Sequence, residues 1–234
     1  MKLKTDGRRS SMDIKEVMAQ RHSVRQYKSE DIDDRNRQLL DDYLAELNKE
    51  SGLNMQIIYN EPDCFNSRMA KYGKFDYCEN YICLVGRKDD EDLEEKCGYY
   101  GELLVLKAQE LGLNTCWVGL THGTTTSIVE KGEKEVIVIA LGYGKTQGVP
   151  HKSKPLEKLS NLTAYCPKWF EEGVEAAALA PTAMNQQKFY FTLLDDNKVE
   201  AKTTGLPSAY IKVDLGIAKA HFELGAGKEN FTWA

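Results

Sequence analysis

The sequence predicts an α+β protein, with a central, mainly antiparallel sheet, helices around it and one strongly apolar helix buried inside. Three observations predict this. Segments 12–21 and 31–50 carry their apolar residues at helical spacing on one face. Residues 79–85 (ENYICLV) and 135–141 (EVIVIAL) are unbroken apolar runs of strand length, and 189–194 and 199–203 flank Asp195-Asp196-Asn197-Lys198 like the arms of a hairpin. Residues 97–111 (CGYYGELLVLKAQEL) are apolar almost all round, which suits a helix in a core or at a subunit interface.

In the first helix Ile14, Val17 and Met18 share a face, Asp13 sits near the N-terminus, and the pattern stops near His22-Ser23. Residues 24–27 then read as a short extended exit. The second helix has Ile32, Leu39, Leu40, Tyr43, Leu44 and Leu47 as its apolar stripe, and Gly52 ends it. Residues 54–59 (NMQIIY) read as a strand, and 60–76 as an irregular surface loop with one helical turn at 67–72. Acidic residues at 89–95 favour a helix start leading into 97–111. Gly112 stops that helix, 115–118 form a short strand, and Gly119 lets a backbone approach closely. Residues 148–156 (GVPHKSKPL) form a basic loop, 167–179 a helix broken at Ala180-Pro181, and 214–224 a last helix.

A chain of 234 residues can bury a core without disulfides or metals. Its 18 Gly and 6 Pro exclude collagen-like and low-complexity classes. The net charge of −5 argues against nucleic acid as the main partner, and any anionic ligand must meet a local cluster of Lys and Arg. The six Cys show no C-x-x-C spacing and the four His lie far apart in sequence, so no metal site is expected. No apolar run approaches the roughly 20 residues of a membrane helix. The basic start, MKLKTDGRRSSMDIKEV, has no apolar h-region and does not read as a signal peptide. Residues 1–11 read as a polar arm and 12–234 as one domain, in a reducing, cytoplasmic compartment with free thiols.

Four segments carry candidate chemistry. Arg21-His22-Ser23-Val24-Arg25 places two guanidiniums and a hydroxyl within five residues, a compact anion seat, although alone it is also a solvated basic turn. Ala180-Pro181-Thr182-Ala183-Met184-Asn185-Gln186-Gln187 has small residues that admit a flat ligand and amides that pair with its edge, or is a Pro-stopped helix with a polar loop. Thr115–Gly119 ends a strand whose backbone N–H could meet a ligand, or is core. Lys152-Ser153-Lys154 is a cationic pair, or a plain surface loop. Together they supply what a planar, polar-edged cofactor with an anionic tail requires.

With those residues in view, the chain resembles the FMN-dependent nitroreductase family. Arg21-His22-Ser23-Val24-Arg25 resembles the family's Arg-x-Ser-x-Arg/Lys segment. Leu113-Asn114-Thr115-Cys116-Trp117-Val118-Gly119 is similar to the segment whose glycine backbone faces the flavin N5. Lys152-Ser153-Lys154 resembles the late basic pair at the phosphate. Ala180–Gln187 is similar to the Ala-Pro-Ser-x-x-Asn-x-Gln-Pro-Trp loop, with Thr182 for Ser and Lys188-Phe189 for Pro-Trp. In ordinary members that loop follows the arginine segment closely, whereas here it lies near the C-terminus, as in a rearranged branch. Asp214-Leu215-Gly216-Ile217 and His221-Phe222-Glu223 are similar to that branch.

The resemblance implies a nitroreductase-like fold, one FMN per chain, NADH or NADPH as reductant, and a two-step reduction of nitroaromatic or quinone-like acceptors. It implies that Arg21 and Ser23, with Lys152 and Lys154, seat the phosphate, and that His22 also belongs to the cofactor site. Arg25 would lie near the pyrimidine edge, the Gly119 N–H at N5, and Thr182 and Asn185 at the ring or ribityl chain of the same or the partner subunit's flavin, with Val118, Pro181, Ala183 and Gln187 as further cofactor-binding residues. No side-chain acid or base is implied, and no metal. A small-molecule acceptor and a homodimer are the expected partners, with a monomer carrying internal pseudo-symmetry as the alternative. A flavin-binding sensor or storage protein, or a non-enzymatic interaction protein on the same scaffold, are the competing functions.

Overall fold

The computed structural model describes residues 12–234, so the predicted polar arm, 1–11, lies outside the described residues. The first two helices begin where a carboxylate can satisfy free N–H groups. In α1 (Ile14–Gln20) the Asp13 side chain accepts from Lys15 N–H. The chain then runs extended, pairing Ser23 with Thr115, Gln26 with Asp76 and Tyr27 with Gly144. α2 (Asp34–Ser51) is capped by Asp33 and closed by Gly52, whose φ of 72° suits glycine and lets its N–H reach Asn48 O. After β1 (Gln56–Ile58), the stretch expected to be irregular contains two short helices, α3 (Asp63–Asn66) and α4 (Arg68–Tyr72).

Next come β2 (Asn80–Arg87), α5 (Leu93–Glu110), β3 (Asn114–Val118) and β4 (Glu133–Gly142). The four strands form an antiparallel sheet ordered β1-β2-β4-β3. β2 is buried at every residue except Arg87, as its unbroken apolar run predicts. Alternate residues feed two cores. Ile82, Leu84, Ile137 and Ile139 join the larger core with α5, whereas Tyr81, Cys83, Val85, Val138 and Ala140 pack with Phe65, Phe75 and Cys116 on the opposite face.

The C-terminal part holds α6 (Lys168–Ala177), β5 (Phe189–Leu193), β6 (Lys198–Thr203), α7 (Ile211–Ala226) and β7 (Thr232–Trp233). The predicted 189–203 hairpin is the antiparallel pair β5–β6. β7 adds a third strand parallel to β6, completing a second sheet. Two residues are too few to show a strand period, so β7 had no signal in the sequence.

α5 is buried, as its apolar circumference predicts, and α7 beside it is enclosed still more fully. Of the 16 residues of α7, 13 are buried, against 10 of 18 in α5. Glycines make this possible. A Cβ on Gly98 would lie 2.1 Å from Val213 O, and one on Gly216 would lie 2.0 Å from Glu95 O, so each helix rests its glycine on the other's backbone. That close crossing places the first turn of α7 next to the end of β3.

Candidate functional site

Backbone pairing brings the turn after α1 against β3: Val24 N–H donates to Thr115 O (3.0 Å), and Tyr27 OH donates to Val24 O (2.7 Å). Ser23 and Arg25 consequently face the same small cavity as Trp117 and Gly119. Pro181, Thr182, Ala183 and Met184 close it from another side, with Tyr210 and Asp214 at the start of α7. The cavity, partly open to solvent, has a volume of about 130 Å³.

Backbone groups alternate along β3, so those of Thr115 and Gly119 point away from β4. Thr115 O takes the Val24 N–H, and Gly119 O accepts from Tyr210 OH at 2.6 Å. The Gly119 N–H has no hydrogen-bond partner among the described residues. A Cβ at Gly119 would lie 2.4 Å from the Tyr210 ring, so the close approach predicted for this glycine is made by a tyrosine of the same chain.

Behind the cavity, three of the sequence-predicted segments are stitched together. A Cβ on Gly148 would lie 2.7 Å from His22 Cβ and 3.1 Å from Ser23 O, so the basic loop crosses the early arginine turn. Asn185 Nδ2 and Gln187 Nε2 both donate to Lys152 O (3.0 and 2.9 Å). Lys154 N–H donates to Gln187 Oε1, and its Nζ donates to Gln186 O and Gln187 O. Met184, Asn185 and Gln187 all have φ between 45° and 55°, a costly conformation for residues with side chains. Gln187 N–H to Thr182 Oγ1 and Ala183 N–H to Asp214 Oδ1 help hold it.

Of the residues singled out from sequence, Ser23, Arg25, Gly119, Pro181, Thr182 and Ala183 line the cavity. Val118 is buried in the smaller core instead. Arg21, His22, Lys152, Lys154, Asn185 and Gln187 are not in the lining. The amides of Asn185 and Gln187 are taken up by the basic loop, and the Lys154 ammonium by two carbonyls.

Arg21 is enclosed. Its Nε lies 3.7 Å from Glu102 Oε1 and is the buried side-chain polar atom without a hydrogen-bond partner among the described residues. Glu102 is fully buried. Its Oε2 accepts from Trp117 Nε1 (2.8 Å), and its Oε1 lies 2.8 Å from His221 Nε2. The sequence reading missed Glu102, Trp117 and Tyr210 as site residues. A carboxylate in the middle of the apolar 97–111 run, flanked by Gly101 and Leu103-Leu104, was the available signal for Glu102. Nothing local marks Tyr210.

Burial dominates the local titrations. It raises the Asp214 carboxyl to about 6, against the opposing pull of the Ala183 N–H and Lys188. Burial lowers Arg21. It also lowers His22 and His151, with Arg21 adding to the effect at both, so neutral imidazoles flank that guanidinium at neutral pH. The Cys116 thiol is pushed up by burial, which suits the reading of it as a small hydrophobe.

The family model described as "Putative TM nitroreductase" matches residues 13–226. The chain belongs to this nitroreductase family. Among solved structures, this nitroreductase is similar to a "putative nitroreductase" from Thermotoga maritima, with 22% identity, 98% of this chain and 90% of the other covered, and a TM-score of 0.69. A nitroreductase from Desulfovibrio desulfuricans described as a complex with FMN shares 16% identity over 68% of this chain and all of its own, with a TM-score of 0.48. One from Bacteroides fragilis with bound FMN shares 17% over 65% of this chain and 96% of its own, with a TM-score of 0.45. No curated protein is similar enough to match. Nitroreductases are redox proteins by name, and the cavity of this one carries hydrogen-bond donors and a carboxyl with a raised pKa.

Proposed function

We propose that this nitroreductase is an FMN-dependent NAD(P)H oxidoreductase acting on small nitroaromatic or quinone-like acceptors. The observation that carries the reading is the convergence on one cavity of Ser23, Arg25 and the unspent Gly119 N–H with the Pro181–Ala183 backbone. The donor set fits a flavin: an N–H for a ring nitrogen, a guanidinium for an electron-rich ring edge and small residues against a flat face. The volume fits only with movement. About 130 Å³ is below the ~300 Å³ lower end of ligand sites, because Tyr210 lies across Gly119.

Bound FMN would supply the hydride chemistry, and the protein would supply orientation and electrostatics. In this reading Gly119 N–H and Arg25 orient the ring, while Thr182 and Pro181 pack its face. Ser23, which lines the cavity, would meet the phosphate first; Arg21 and Lys152 lie outside the lining, and Arg21 is buried beside Glu102, so they would join the seat only after the movement that admits the flavin. Lys154, Asn185 and Gln187 hold the loops that build this seat. Lining residues come mainly from 23–25, 116–119, 181–184 and 210–217 of one chain, which is compatible with a monomeric site as well as with the expected homodimer. No helix among the described residues is long and apolar enough to cross a membrane. The six free cysteines agree with a cytoplasmic location, which forms part of the proposal.

Absorption spectroscopy of the chain with FMN, followed by anaerobic titration with NADH and then NADPH, tests the reading. Bound flavin that bleaches with either nucleotide is the expected result. Colour without bleaching would favour the sensor or storage alternative, and no binding at all would overturn the proposal. The role of Tyr210 has its own test. Tyr210→Phe removes a hydrogen bond worth about 0.5–1.5 kcal/mol, so FMN should associate roughly two- to tenfold faster in stopped-flow fluorescence quenching. An unchanged rate would mean the ring does not leave Gly119 on flavin entry.

A further inference from the structure

Asp214 is the acidic side chain in the cavity lining, and beyond holding the Ala183 loop through one oxygen it has no role in the nitroreductase reading. It is 5% exposed, in the first turn of α7. Its backbone N–H donates to Tyr210 O (2.8 Å) and its Oδ1 accepts from Ala183 N–H (2.9 Å). Its Oδ2 has no hydrogen-bond partner among the described residues. One oxygen is thus fixed to the small-residue loop, and the other is unspent in a cavity that also holds Arg25 and the free Gly119 N–H.

We propose that Asp214 is the proton donor to the acceptor reduced in this cavity. The proposal rests on the oxidoreductase reading above and extends it with a side-chain acid. For a nitro acceptor the balance is explicit. R–NO2 takes a hydride, which brings two electrons and one hydrogen, and one proton from the Asp214 carboxyl. One N–O bond breaks, the oxygen leaves as water carrying both hydrogens, and R–NO remains. Nitrogen is reduced, the reduced flavin that supplied the hydride is oxidised, and the Asp214 carboxylate recovers its proton from solvent. A quinone oxygen takes the same proton as its ring accepts the hydride.

The surroundings suit an acid that works near neutrality. The helix N-terminus, the Ala183 N–H and Lys188 all favour the carboxylate, yet burial outweighs them and raises the group to about 6. Arg25 shares the cavity. On α5, which packs against α7, Glu95 is paired with Lys219 (2.6 Å) and Glu94 with Lys134 (2.6 Å), so neither is an unpaired like charge. Tyr210 is held neutral by burial.

Asp214→Asn tests the assignment, because the amide oxygen can still accept the Ala183 N–H. Because Asp214 also holds the Ala183 loop, flavin content is measured alongside, and the reoxidation rate is compared per bound flavin. The rate of reoxidation by a nitroaromatic should fall about 10²-fold, as for loss of a general acid. In wild type that rate should decline as pH rises through about 6, with the limb absent in Asp214→Asn and partly restored in Asp214→Glu. Infrared spectroscopy of the whole chain, independent of turnover, should show a carboxyl titrating near pH 6 that Asp214→Asn removes. Unchanged reoxidation with the same pH limb would overturn the donor role, as would survival of that infrared band. Wild-type protein that keeps the band but is not reduced by either nucleotide would instead overturn the oxidoreductase reading, and the donor role with it.

Discussion

Glu102→Ala is expected to destabilise the protein by about 3–5 kcal/mol, the usual cost of breaking a buried ion pair by deleting one partner. Arg21 and Glu102 have side chains only 3% and 0% exposed, so neither can turn to solvent when the other is removed. The loss also strands Trp117 Nε1 and His221 Nε2, both held by this carboxylate at 2.8 Å. Glu102→Gln keeps an acceptor for Trp117 but deletes the counter-charge, so it should fall between alanine and wild type. Urea unfolding midpoints measure both changes. Trp117 lines the cavity, and its fluorescence should report the freed indole in the alanine variant before unfolding. A loss below about 1 kcal/mol would mean that the Arg21 charge is satisfied elsewhere.

Gly216→Ala is the second large effect, at about 3 kcal/mol, the upper end for overpacking a core. The new methyl would lie 2.0 Å from Glu95 O and 2.8 Å from Tyr99 N, both backbone atoms of the facing helix. No rotamer change relieves that contact; α5 and α7 must separate. Gly101→Ala is the control, since its Cβ would meet the ends of Leu84 and Trp117 at 2.6 and 2.7 Å, and side chains can shift. About 1 kcal/mol is expected there. Equal losses for the two variants, read from urea midpoints, would show that the helix crossing is not fixed by its glycines. Because α7 carries Asp214 and follows Tyr210 directly, Gly216→Ala should also impair flavin binding.

Much of the fold was legible in the sequence because its signals are local. Asp13 and Gly52 mark helix ends through a hydrogen bond and a left-handed turn within a few residues, whereas the second helix, read as starting at 31, begins at Asp34 behind the Asp33 cap. The unbroken apolar run of β2 and the apolar circumference of α5 report their burial directly. α7 was harder to rank, because its enclosure comes from Gly216, Ala218, Ala220 and Gly225, whose small size carries little hydropathy but permits close approach. At the candidate site, Ser23, Arg25, Gly119 and the 181–183 segment could be picked out by residue type and spacing. Glu102, Trp117 and Tyr210 could not, since their importance comes from partners 15 to 119 residues away in the chain.

By itself the sequence determined most of the periodic elements, with ends off by up to a few residues, the absence of a membrane-length apolar run, and the four short segments that resemble nitroreductase motifs. Only the tertiary structure decided that Arg21 is enclosed beside Glu102 while Arg25 faces the cavity, that Tyr210 lies over Gly119, and that Asp214 shares that space. The physical reason is one of range. Periodicity and capping are settled over a turn or two of chain, whereas desolvation and the meeting of charges depend on which distant surfaces the two crossed helices press together.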